Sequence, residues 1–103
     1  MRRIAIIDYG MGNLHSAAKA LEKVGADVTV TRDPEVVRRA DQVVLPGVGA
    51  FGDCMNNLRQ WELEAVIHEV IAAGKPFLGI CVGLQMLFEG SEEDPGIPGL
   101  GIF

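Results

Sequence analysis

The sequence predicts an α/β fold organised as a doubly wound parallel sheet, and three observations carry that prediction. Apolar runs of strand length alternate with segments whose apolar residues recur at helical spacing, the runs at 4–7 and Gln42–Leu45 are continuous rather than alternating, and glycine-rich turns follow three of the runs. Continuous apolar strands suit a sheet covered on both faces. Strand–helix alternation gives parallel strands joined by right-handed crossovers, with helices on both sides.

The first strand, residues 4–7, ends in Asp8-Tyr9-Gly10-Met11-Gly12-Asn13. Leu14, Ala17, Ala18, Leu21 and Val24 then recur at helical spacing, and Gly25 follows as a C-cap. The turn joins strand to helix as a dinucleotide fingerprint does, but the third glycine is missing at the required spacing. Two readings remain for it: a place where backbone approaches a ligand or partner, or a tight turn only.

Asp27–Thr31 alternates and is rich in Val and Thr, which predicts a second strand near a sheet edge. Asp33 and Pro34 have the residue types of an N-cap and a first helical position, and Val36 and Val37 are expected to face the sheet. The third strand, Gln42–Leu45, runs into Pro46-Gly47-Val48-Gly49-Ala50-Phe51-Gly52. Three glycines directly after a buried strand suggest a loop whose amides are free to face a ligand, beside the plainer reading of an ordinary connection. From Asp53 onward the pattern is helical in two phases, Met55 and Leu58 setting one stripe and Leu63, Val66, Ile67, Val70 and Ile71 another. A break near Trp61-Glu62 is expected from that change of phase. Cys54, in the first of these helices, reads as a small packed residue, and His68, opposite the apolar stripe, as a solvated one.

The fourth strand enters Gly79-Ile80-Cys81-Val82-Gly83-Leu84-Gln85. Gly-x-Cys-x-Gly between a strand and a helix is the pattern of a nucleophile elbow, a sharp turn that lifts the central side chain above the sheet edge. Gly79 and Gly83 remove side chains where strand and helix approach. Cys81 falls at a helix N-terminus, where free amides and the macrodipole favour a thiolate. The Val82 amide is the natural first donor to an oxyanion. The alternative is a buried, inert cysteine in a tight turn. The helix is expected to run through Leu87 and Phe88 to about Glu89, and Gly90 to end it. Ser91-Glu92-Glu93-Asp94-Pro95-Gly96 reads as a solvated acidic turn.

At 103 residues with 49% hydrophobic content, the chain is long enough for one domain with a real core. Its formal charge of -5 argues against non-specific binding to nucleic acid or to an anionic membrane. Neither a secretory signal nor a run of membrane-spanning length is present, so a soluble, cytoplasmic protein is expected. Cys54 and Cys81 stand far apart without ligand spacing to a histidine, so neither a disulfide, a metal nor another cofactor is predicted.

In a sheet of order 2-1-3-4, the exits of strands one, three and four are neighbours. The turn at 8–13, the loop at 46–52 and Cys81 then open on one edge. The Gly47 to Gly49 segment would supply a second oxyanion donor opposite Val82, and Gln85, one turn beyond Cys81, shares its face. The reaction class implied is acyl transfer through a thioester, with water as final acceptor.

Those residues resemble class I (triad-type) glutamine amidotransferases, through Gly79-Ile80-Cys81-Val82-Gly83-Leu84-Gln85. Asp8-Tyr9-Gly10-Met11-Gly12-Asn13-Leu14, Pro46-Gly47-Val48-Gly49-Ala50-Phe51-Gly52 and Ser91-Glu92-Glu93 narrow the resemblance to the glutaminase subunits of imidazole glycerol phosphate synthases, of histidine biosynthesis. Val82 and Leu84 replace the Leu and Met more usual there. The resemblance implies a flavodoxin-like doubly wound sheet in truncated form, residues 1–103 being the N-terminal part of a single amidotransferase domain. It further implies Cys81 as nucleophile toward the glutamine side-chain amide, and Val82 and Val48 as oxyanion-hole amides, the Val48 peptide being the one whose orientation depends on the cyclase. Gly49, Gln85 and Glu93 are implied as glutamine-binding positions. Gly10, Met11, Gly12 and Asn13 are implied near the cyclase subunit and the ammonia path.

One departure is larger than any substitution. The family's general base is a His followed two residues later by a Glu, far beyond the elbow, and no histidine follows Cys81 here. His15 is not at the position of that base. The chain by itself is therefore expected to be inactive, and the sheet to expose an edge and an apolar face. Two other readings stay open: a non-catalytic fragment that binds the cyclase, and another Cys-elbow protein of the same fold with a redox or chaperone-like role.

Overall fold

β1 (Arg3–Ile7) lies inside the sheet, paired in parallel with β2 (Asp27–Thr31) on one side and β3 (Gln42–Leu45) on the other. β3 in turn pairs with β4 (Phe77–Gly79), so the order is β2-β1-β3-β4, as the sequence predicts. The register sets Ile6 beside Val30 and Val44, and Leu45 beside Gly79. The computed structural model describes residues 2–10, 14–47, 49–80, 83, 86–87 and 98–102.

Side chains alternate across the sheet and feed two apolar layers. Ala5, Ile7, Val43 and Leu45 face the larger layer, which is filled from α2 (Pro34–Arg39), α3 (Phe51–Gln60) and α4 (Glu64–Ala72) by Val37, Phe51, Met55, Leu58, Val66, Ile67 and Val70. Ile4, Ile6 and Val44 face the other layer, which α1 (Leu14–Lys23) covers with Leu14, Ala17, Ala18 and Leu21. Burial of β1 on both faces is the reason its apolar run is unbroken.

The helix ends follow local chemistry. Asp33 caps α2, its carboxylate accepting from the Glu35 amide at 3.0 Å, with Pro34 in the first turn. Gly25, at φ +87°, closes α1 in a conformation that costs glycine least. Glu62, at φ +58°, marks the break between α3 and α4 at the place where the apolar stripe changes phase. As expected, His68 is exposed and Cys54 is buried.

Two expectations need correction. α3 begins at Phe51 rather than Asp53, because Ala50 serves as N-cap without a side-chain hydrogen bond and leaves no residue-type signal. Val24 continues the apolar spacing but lies past the end of α1 and is 79% exposed. Leu78 of β4 is 54% exposed, in keeping with the apolar face the sheet is expected to expose. Among the described residues no strand pairs with the outer edge of β4. No helix among the described residues is long and apolar enough to cross a membrane.

Candidate active site

The C-terminal ends of β1, β3 and β4 are adjacent, so the segments leaving them meet at one edge of the sheet. Close approach of backbone holds the β4 segment against β3. The Ile80 amide continues the ladder by donating to the Leu45 carbonyl at 3.0 Å, and the Gly83 amide donates back to the Ile80 carbonyl at 2.9 Å. Gly83 is already helical, so the strand gives way to helix within a few residues. A methyl group on Gly83 would overlap the Leu45 carbonyl oxygen and lie 2.9 Å from its carbon and 3.3 Å from that of Pro46. The second glycine of Gly-x-Cys-x-Gly is therefore required by contact with the β3 exit, as an elbow requires.

Beyond Gly83 the chain returns to the same layer. Met86 and Leu87 are buried, and their carbonyls accept from the Leu100 and Ile102 amides at 2.7 and 2.8 Å.

The β1 exit is fixed twice. At its outer side, Asp8 accepts from the Gly10 amide at 3.2 Å and pairs with Arg32 at 3.0 Å, while Arg32 stacks on Trp61 with 4.1 Å to the ring centroid. On its inner side Tyr9 is wholly buried, donating its hydroxyl to the Pro46 carbonyl and lying 3.5 Å from the Met86 sulfur. A phenol has one hydrogen, and a carbonyl is the better acceptor, so the sulfur is a packing partner rather than a second acceptor. Burial, and then the neighbouring Cys54 sulfur, push the Tyr9 pKa far above the ordinary phenol value.

Gly10 and Gly49 are both exposed with positive φ, +87° and +90°, at the mouths of the first and third segments. Their neighbours Met11, Gly12, Asn13 and Val48 lie outside the described residues, as do Cys81, Val82, Gln85 and Glu93. Sequence reading gave no role to Tyr9 or Met86. The available signal was a tyrosine at the end of a buried strand, since a buried hydroxyl needs a partner.

The buried phenol has a measurable consequence. Its raised pKa means that the folded state keeps a proton the unfolded chain releases. That stability is present in full below pH about 10 and declines as pH rises beyond it, at up to about 1.4 kcal/mol per pH unit. Urea midpoints between pH 9 and 11 are expected to fall less steeply for Tyr9→Phe than for the parent. Equal slopes would show that Tyr9 ionises as freely folded as unfolded.

Comparison with known proteins gives the site its setting. Residues 5–94 match the family Glutamine amidotransferase class-I. The chain is 56% identical over 103 residues to the imidazole glycerol phosphate synthase subunit HisH of Acinetobacter baylyi, spanning all of this chain and 50% of that protein. Against the subunit HisH of Cyanothece sp. it is 62% identical over 102 residues, spanning 99% of this chain and 48% of that protein. The chain thus spans about half the length of the curated relatives it matches. Among solved structures, a glutamine amidotransferase superposes with TM-score 0.80 at 20% identity, over 96% of this chain and 52% of that one. A putative peptidase E from Listeria monocytogenes superposes with TM-score 0.76 at 16% identity, over 99% and 63%. Those two likenesses establish the fold, and the match across 5–94 establishes the family: this chain belongs to the class I glutamine amidotransferases.

Proposed function

We propose that residues 1–103 are the N-terminal part of a single glutaminase domain, one that releases ammonia from glutamine for a cyclase partner making imidazole glycerol phosphate in histidine biosynthesis. The observation that carries the reading is the docking of Gly83 on the Leu45–Pro46 backbone at the edge where the β1 and β3 segments also end. The contact of Gly83 with Leu45 and Pro46, the residues that lead into Gly47–Gly49, supports an oxyanion shared between the two segments.

In this reading the Cys81 thiolate attacks the amide carbon of the glutamine side chain. Negative charge gathers on the carbonyl oxygen, and the Val82 and Val48 amides stabilise it. Collapse of the tetrahedral adduct, with a proton delivered to the amide nitrogen by the protonated form of the base, expels ammonia and leaves a thioester. Water then attacks the thioester, releasing glutamate and restoring the thiol. Gly49, Gln85 and Glu93 hold the glutamine, and Gly10, Met11, Gly12 and Asn13 face the cyclase and the path of ammonia. No cofactor, metal, nucleic acid or membrane has a part. The site of action is the cytoplasm, where reducing conditions keep Cys81 a thiol.

Proton transfer in both steps needs a base, and among these 103 residues the only histidines are His15 and His68. Both are exposed, and neither follows Cys81. The base then comes from the remainder of a longer domain, which would also cover Leu78 and the free edge of β4. Purified chain with cyclase is expected to show no glutaminase turnover, and turnover is expected to appear when the remainder of the domain is supplied. Turnover by the chain and cyclase alone, at the rate of a complete enzyme, would refute the reading.

The missing base also favours a second reading, a fragment that binds the cyclase without chemistry. Glutamine protection of Cys81 against alkylation separates the two, since a fragment with no glutamine site gives no protection. A redox or chaperone-like Cys-elbow protein likewise gives none.

A further inference from the structure

We propose that Tyr9 is a positioning residue: its hydroxyl, through the Pro46 carbonyl, sets the orientation in which the Gly47–Gly49 loop meets the elbow. The assignment rests on the reading that this loop donates an amide to the oxyanion.

The geometry supporting it begins with a peptide plane. The Pro46 carbonyl and the Gly47 amide belong to one rigid trans unit, so they point in opposite directions. With its oxygen held by the buried phenol, that unit turns its N–H away from Tyr9. The other side of the same residue is also held, because Gly83 packs against the Leu45 and Pro46 backbone. Pro46 is thus clamped between the β1 exit and the elbow, and both clamping residues are buried.

The loop beyond Pro46 has little stiffness of its own. Gly47 precedes the candidate donor, the Val48 amide, and glycine rotates at small cost, so the Gly47–Val48 peptide has little local reason on its Gly47 side to prefer one orientation. Loss of the hydroxyl frees the first plane of the loop and lets the next rotate with it. Tyr9 suits the task because it remains a neutral donor throughout the working pH range, burial having raised its pKa. Its three contacts also span the whole site: Pro46 from the β3 exit, Met86 beyond the elbow, and Cys54 in α3. A residue that merely filled space would need no hydroxyl there.

An effect on the oxyanion alone differs from an effect on substrate binding or folding. In the full-length protein with its cyclase partner, Tyr9→Phe is expected to lower kcat for glutamine hydrolysis on the order of tenfold or more, with KM changed by less than about twofold. Alkylation of Cys81 by iodoacetamide in the absence of glutamine is expected to keep its parent rate, because the thiol is untouched. Para-aminophenylalanine at position 9 restores a donor at the same place and is expected to recover most of kcat. Para-fluorophenylalanine, similar in size but without a donor, is expected to behave as phenylalanine does, and it serves as the comparison should Tyr9→Phe not fold. An unchanged kcat in either donor-free variant, or a loss confined to KM, overturns the assignment. Retention of turnover by Cys81→Ser would instead overturn the glutaminase reading, and this assignment with it.

Discussion

Replacing Gly83 with alanine is expected to lower the melting temperature by roughly 5–20 °C, corresponding to a loss of about 1–3 kcal/mol in a domain of this size. The added methyl meets backbone rather than a side-chain end: the Leu45 carbonyl, with its carbon at 2.9 Å, and the Pro46 carbon at 3.3 Å. Leu45 cannot retreat easily, since β3 is paired with β1 on one side and β4 on the other. The elbow must lift instead, at the expense of the Gly83–Ile80 hydrogen bond and the burial of Met86 and Leu87. Differential scanning calorimetry measures the first effect. Alkylation kinetics measure the second, a changed reactivity of Cys81. An alanine variant that melts with the parent would mean that the helix start does not rest on β3 in solution.

Phe51→Ala is expected to cost about 3–5 kcal/mol. Phe51 is fully buried in the larger apolar layer, and it opens α3 immediately after the Gly49-Ala50 corner. Against a total of about 5–15 kcal/mol, the loss is a large share of the whole. Denaturant titration followed by circular dichroism reads it directly. A midpoint displaced by less than the equivalent of about 1 kcal/mol, on the order of experimental error for such extrapolations, would show that the β3–α3 corner is not seated in the core.

The sheet was legible because its signals are local and repeated. Asp27–Thr31 and Gln42–Leu45 have the predicted bounds, and the phase change at Trp61-Glu62 became the break between α3 and α4. Periodicity is less informative about limits. Val24 keeps the spacing of α1 after the helix has stopped, and Ala50 caps α3 without any polar side chain to announce it.

The candidate site divides along similar lines. That three loops share an edge follows from strand order, and the need for glycine at 83 follows from the elbow pattern. The clamp on Pro46 does not, because Tyr9 meets Pro46 and Met86 across separations of 37 and 77 residues. Pairings of that range depend on how the layers close, and no window of sequence contains both partners.

The stack of Arg32 on Trp61 gives the chain an optical reporter. Trp61 is its single tryptophan, and Arg32 links it to Asp8 at the root of the β1 turn. Indole emission depends on its immediate electrostatic surroundings, so movement of that turn is transmitted to the fluorophore through one guanidinium. Docking of the proposed cyclase partner at Gly10 is therefore expected to change the intrinsic fluorescence, which needs no label and alters no residue of the site.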